Sequence, residues 1–551
     1  MTRLLPLLAV SAAFTGWAET PAEKAAQKLI TADTIRAHVR FLASDALEGR
    51  GPATRGDQLA QQYIAAQLEG LGLKPAGANG SWLQKLDVVG TDGHPDQVTF
   101  IGPGGKALTL KNSDDYILVA GQQEPTSKLD KAELVFAGYG IQAPEYKWDD
   151  FKGIDLKNKV LLVMNNDPED DPNLFAGKAR LWYGRWDYKY EKAARMGAAG
   201  AIIIHTTPSA GYPWQVVQTS WAGEQFDLPS TEPSSLEVKG WTTEEASRKI
   251  VALAGKDLDQ LRKAAQSRDF KPVPLGVTLS TVFNSQVQKK TTANVLAVLP
   301  GSDPELSKQY VVFSAHHDHL GKKPGAKPGE DDIYNGAVDN ASGVAALLTV
   351  ARALTSLPKA PRRSVLFAVV AAEEQGLLGS QYLVEHPPVP VGMMAADINI
   401  DGVNIWGRTK DVSVIGLGKS SLDATIGKLA AGQKRTVKPD ELADRGFFYR
   451  SDQFNFAKWG VPSAYFSSGN DYLGRPEGWG KQMREQWEEK HYHQPSDELT
   501  DAWDLAGAVD DLQLYFQLCI EVANSTRLPQ WNAGDEFEAA RKKALQAVGM
   551  Q

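Results

Sequence analysis

At 551 residues the chain is too long for one hydrophobic core, so two or three domains are expected. Hydrophobic residues make up 42% and charged residues 23%, the balance of a folded, water-facing protein. A net charge of -8 argues against nucleic acid or anionic lipid as a partner, since both call for basic surfaces.

The first 18 residues read as a signal peptide. Arg3 supplies the positive start, residues 4–14 are apolar, and the small residue Ala18 marks the expected cleavage site. The apolar run is well short of the roughly 20 residues that span a bilayer, and no later segment is long and apolar enough to do so. Export to a periplasm or the outside is therefore expected. The single cysteine, Cys519, excludes an internal disulfide, which suits a bacterial periplasm. It falls in an apolar helical pattern and is expected in the core.

Residues 31–75 predict two helices. One has an apolar face of Ile35, Val39, Phe41 and Leu42, the other of Leu59, Tyr63, Ile64, Leu68 and Leu71. The polar loop LEGRGPATRG, carrying Arg50 and Arg55, separates them. From about 80 to 130, short alternating runs punctuated by Gly and Pro read as antiparallel strands. Residues 131–255 form a distinct block of strands around the helix pattern YEKAARMGAAG, with aromatic-rich loops. A charged helix near 255–267 follows. Strands and helices then alternate from about 290, and the strands are apolar on both faces. That pattern predicts an α/β fold, a mixed β-sheet sandwiched by helices. The expected organisation is a leader over 1–18, a helix and strand portion over 19–130, the block at 131–255, the main domain over 256–535 and a helical tail over 536–551.

Five metal-type ligands follow one another in the main domain. They are His316 in SAHHDHLG, Asp339 in GAVDNASG, Glu374 in AAEEQGLLG, Asp401 in INIDGV and His493 in YHQPSDEL. Two histidines and three carboxylates suffice for two zinc ions that share one carboxylate. Adjacent carboxylates at a strand end repel unless a cation compensates them, so Glu373 beside Glu374 is placed to be a general base. Open α/β sheets assemble their sites where strands end, which lets residues distant in sequence converge. Asp318 is a partner to orient His316, and Asp497 is a candidate to orient His493. His317 and His319 rival His316 from spacing alone, Asp397 competes with Asp401, and His491 is expected at the rim.

These motifs, together with SDQFNFAKWGVPSAYF, resemble the co-catalytic zinc peptidases of family M28, the aminopeptidase Y and glutamate carboxypeptidase group. The block at 131–255 is similar to the protease-associated domain inserted in some members. The resemblance implies a zinc exopeptidase fold (phosphorylase/hydrolase-like) with an inserted, β-rich α+β domain. It also implies two zinc ions bridged by Asp339 and a water or hydroxide. His316 and Asp401 would complete one site, Glu374 and His493 the other, with Glu373 as base, Asp318 orienting His316, and a cis peptide after Asp339. Some members place a tyrosine four residues before the Asp of the SD motif. Here that position is Phe448, which makes Tyr449 the candidate for polarising the scissile carbonyl. The expected activity is that of an aminopeptidase acting on peptides. A carboxypeptidase or dipeptidase would need a cation for the substrate carboxylate, from Arg450, Arg445 or Lys481. A silent binding protein on the same scaffold is the remaining alternative. Manganese or cobalt could replace zinc.

Overall fold

The computed structural model describes residues 19–230 and 234–550, so the expected signal peptide lies outside the described residues. Among the described residues, no helix is long and apolar enough to cross a membrane.

The main body is a ten-stranded mixed sheet. At its centre Ser364–Val370, Tyr310–His316, Met394–Asn399 and Ser463–Ser468 run parallel, and Gln286–Leu299 joins Ser364–Val370 antiparallel. Ser364–Val370 and most of Tyr310–His316 are apolar on both faces because both faces are covered, and the pleat divides their residues between two layers. Val311, Phe313 and Ala315 face the helices Ala32–Leu42, Gly343–Thr355 and Ala506–Asn524. Val312, Leu366 and Ala368 face the opposite layer, where the helices Leu378–Glu385 and Gln453–Lys458 contribute Leu383, Val384 and Phe456. Cys519 is fully buried in the first layer, as its pattern predicts.

A second, eight-stranded sheet is built around four parallel strands, Thr126–Phe136, Lys159–Met164, Gly200–His205 and Val238–Thr243. Ile202 and Ile204 pack towards helix Glu244–Leu253, while Ala201 and Ile203 pack towards helix Trp186–Arg195. This sheet also takes in Thr99–Ile101, Tyr116–Ala120 and Val273–Asn284, strands from outside the block 131–255. Conversely, Gln225–Asp227 leaves that block and forms the edge of the main sheet, paired with Leu83–Asp92.

Candidate metal centre

Three of the five expected ligands stand at the C-terminal edge of the parallel strands. His316 is the last residue of its strand, Glu374 follows Ser364–Val370, and Asp401 follows Met394–Asn399. The turn that presents Glu373 and Glu374 is closed by Gly379, whose N–H donates to the Ala371 carbonyl. A Cβ at Gly379 would fall 2.2 Å from that carbonyl oxygen, so only glycine fits. Asp318 then receives the Glu373 N–H at 3.0 Å and the Glu374 N–H at 3.3 Å.

Asp339 and His493 come from loops instead. Asp339 lies in the irregular turn Ala337–Ser342, and the Asp339–Asn340 peptide is cis, as the resemblance implies. Asp497 accepts the N–H groups of Val338 and Asp339, and Asn340 joins this turn to the Asp401 loop through the Ile400 carbonyl and the Gly402 N–H. His493 has left-handed backbone, φ 56°, and its ring lies against Tyr492 with centroids 4.0 Å apart.

The five side chains meet in one buried cluster. His316 Nε2 is 3.2 Å from Asp401 Oδ1 and 3.3 Å from Asp339 Oδ1. His493 Nε2 is 3.3 Å from Asp339 Oδ2 and 3.1 Å from Glu374 Oε2. The two oxygens of Asp339 thus face different histidines. Glu373 Oε2 lies 4.0 Å from His316 Nε2. Ligand bonds of 2.0–2.1 Å in a tetrahedron give ligand-to-ligand edges of about 3.3 Å, the spacing found between these nitrogens and oxygens. His493 Nε2 is buried without a hydrogen-bond partner among the described residues. The donor set therefore fits divalent metal.

The electrostatics agree. Burial works against charge on both histidines, yet the carboxylates outweigh it. Glu373 and Asp401 carry His316 well above its usual range, and Glu374 and Asp339 raise His493 to about 10. Burial, with Glu374 and Asp401 adding to it, pushes Glu373 well up. Glu374 is buried too, but His493 and His319 hold it down at about 2. The cluster calls for positive charge and draws on protons to supply it.

Several expected roles are reassigned. His319 is no ligand candidate in this arrangement; its Nδ1 bonds Glu374 Oε1 at 2.6 Å. His317 turns away to Asp57 at 2.8 Å. Asp397 accepts from Ser314 inside its strand, and His491 bonds Ser496 at the surface. Asp318 sits 3.7 Å from His316 Nδ1, beyond hydrogen-bond reach, and its firm bonds are to the Glu373 turn. Asp497 does not orient His493, because its carboxylate is taken by the Asp339 turn. Ser220 Oγ stands there instead, 2.7 Å from His493 Nδ1.

Tyr449 requires correction as the carbonyl-polarising group. Its hydroxyl donates to Glu536 at 2.6 Å inside an aromatic cluster with Trp531 and Phe537, and it lines neither cavity at the cluster. The residues that do line both cavities with Glu373 are Arg450 and Tyr492. Tyr465 lines the larger one and donates to the Asp401 carbonyl at 3.1 Å. Neither tyrosine is among the site residues expected from the sequence. Tyr492 adjoins His493, and Tyr465 lies on the fourth parallel strand, so adjacency and strand position were the available signals.

A cluster of histidines and carboxylates with a spare carboxylate, at the edge of a helix-covered parallel sheet, defines a metallohydrolase-type site. Residues 294–517 match the family described as "Peptidase family M28". Aminopeptidase YwaD of Bacillus subtilis is 28% identical over 399 residues, 71% of this chain and 67% of that protein. Aminopeptidase NAALADL1 of Mus musculus is 24% identical over 349 residues, 53% of this chain. The chain spans only 42% of that relative's length. An aminopeptidase structure from Aneurinibacillus sp. strain AM-1 shares the fold, with a TM-score of 0.53, 19% identity and coverage of 91% of this chain and 96% of that one.

Proposed function

We propose that this chain is an exported exopeptidase that works with two zinc ions, an aminopeptidase that removes the first residue of a peptide. The carrying observation is Asp339, whose Oδ1 and Oδ2 face His316 and His493 respectively. His316, Asp339 and Asp401 would hold one ion, and His493, Asp339 and Glu374 the other. When bound, the ions acidify water and polarise the scissile carbonyl.

Glu373 lies beside this cluster and lines both adjoining cavities. It takes the proton of the attacking water and delivers it to the leaving amine. The surrounding carboxylates suit the cationic α-amine of a peptide. A cavity of about 190 Å³ opens from Asp339 and Asp401, with Ile405, Trp406 and Trp487 among its walls. It would receive an apolar first side chain. The names of the relatives support the aminopeptidase reading. Export rests on residues 1–18, and the second sheet is read as a protease-associated type of insert.

One observation favours a second reading, a dipeptidase. Arg450 lines both cavities, held over the rings of Tyr212, Phe447 and Tyr492, and its Nη1 is buried without a hydrogen-bond partner among the described residues. It could take a substrate carboxylate. Arg445, by contrast, is paired with Glu488, and Lys481 is exposed on helix Trp479–Lys490.

The test is hydrolysis of one short peptide with free and acetylated N-termini, and with free and amidated C-termini, by zinc-loaded wild type and Glu373→Gln. Cleavage that needs the free N-terminus, tolerates the amide and falls 10²–10⁴-fold in the variant is expected. A requirement for the free C-terminus, lost in Arg450→Met, would favour the carboxypeptidase or dipeptidase reading instead. No hydrolysis of any form would leave the binding-protein reading.

A further inference from the structure

His493 has its outer ring nitrogen served from outside the peptidase sheet. Ser220 ends the helix Trp214–Ser220, in the connection between the second-sheet strands Gly200–His205 and Val238–Thr243. Ser220 Oγ lies 2.7 Å from His493 Nδ1, and both residues line the smaller cavity with Glu373 and Glu374.

The chain on either side is pinned. Trp221 packs edge-on against Trp186 and Trp241, with centroids 5.6 and 6.1 Å apart. Glu224 pairs with Lys290 of the main sheet. The Phe226 N–H donates to Gln375 Oε1 at 3.0 Å, next to Glu374 in sequence, and Gln225–Asp227 pairs with Leu83–Asp92. Residues 214–227 therefore form a strap from the second sheet that touches the loops of two ligands, Glu374 and His493.

A histidine that binds metal through Nε2 must be neutral with its proton on Nδ1. An acceptor at Nδ1 fixes that tautomer and the ring plane. For His493, the Ser220 hydroxyl is the group positioned to accept. Asp497, four residues beyond His493, is fully engaged with Val338 and Asp339. His319 performs the corresponding service for Glu374 from within the main body.

We propose that Ser220 is a positioning residue for His493, so that the inserted lobe sets the affinity of one half of the metal centre. This rests on the two-ion reading above. The role assigned to Ser220 acts through the ligand His493.

The experiment measures zinc affinity by chelator competition on the full-length protein, for wild type, Ser220→Ala and Ser220→Thr. In Ser220→Ala one of two zinc ions is expected to bind roughly 10–100-fold more weakly, with the other within about threefold of wild type. Ser220→Thr, which keeps the hydroxyl, is expected to restore the affinity. Thermal melting of the zinc-free proteins is expected to coincide for all three. Wild-type affinities for both ions in Ser220→Ala would overturn the proposal. So would equal weakening of both ions with a lowered melting temperature, because that is general loosening of the fold. Uptake of fewer than two ions by the wild type would refute the two-ion reading itself, and the proposal with it.

Discussion

Arg50 offers the sharpest stability test. It is 1% exposed, with left-handed backbone, and makes no ion pair among the described residues. Its guanidinium donates instead to four carbonyls, those of Leu42, His317, Asn335 and Gly336. Burial lowers its pKa to about 10, and the field of Asp318, Asp497, Asp339 and Glu374 opposes that fall. Two of the four carbonyls adjoin the segments that carry His316 and Asp339, so Arg50 ties the first helices to the base of the site. Arg50→Met keeps the apolar stem and removes every donor. Each buried acceptor left unpaired costs about 1–3 kcal/mol, and the terms do not add fully. Gly336 keeps one partner, the Ala341 N–H. Three carbonyls left unpaired are expected to cost about 3–5 kcal/mol together. Arg50→Lys, with three donors on a point, recovers only part of this. The assay is urea unfolding of the zinc-free protein followed by tryptophan fluorescence, comparing midpoints at constant slope. A shift worth less than about 1 kcal/mol in Arg50→Met would refute the reasoning.

Asp397 gives a pH prediction. Burial pushes its carboxyl up to about 8 from an ordinary 3.8; Oδ1 accepts from Ser314, and Oδ2 has no hydrogen-bond partner among the described residues. A carboxyl whose folded-state value lies above its unfolded value is favoured neutral in the fold. It imposes no penalty below pH 3.8 and a growing one up to pH 8, at about 1.4 kcal/mol per pH unit. Asp397→Asn should flatten that part of the stability curve, and parallel curves for the two proteins would sink the assignment. Tyr449→Phe should keep kcat within about threefold of wild type and cost about 0.5–1.5 kcal/mol in stability, because Glu536 retains Lys419. A hundredfold loss of kcat would return Tyr449 to the reaction.

The fold class is legible in the sequence because strands such as Tyr310–His316 and Ser364–Val370 are apolar on both faces, a pattern that demands cover on both sides. Of the five candidate ligands, His316, Glu374 and Asp401 were legible for a related reason: each sits where an apolar strand stops. Asp339 and His493 come from loops and were legible only through their motifs. Their partners were not. Beyond His316 the strand ends and alternation lapses, so nothing local says that His317 turns to Asp57 while His319 reaches Glu374. Ser220 is far from His493 along the chain, and a serine ending a short helix carries no signal of its own. Tyr449 misled because it lies in the turn Phe447–Tyr449 after a left-handed Gly446, where direction does not follow from spacing. The second sheet recruits Thr99–Ile101 and Val273–Asn284 by long-range pairing, which local patterns do not record.

Val273–Asn284 in one sheet and Gln286–Leu299 in the other are separated by Ser285 alone. Beside that junction the partner strand crosses too, with Gln286 opposite Asp92 and Phe283 opposite Pro95. The lobes are thus joined by a continuous two-stranded ribbon, stiff along its length and free of slack. Such a spine admits twist more readily than swing. Because Gln225–Asp227 of the strap pairs with Leu83–Asp92, a strand of this same ribbon, any such twist would be passed to the strap that reaches His493.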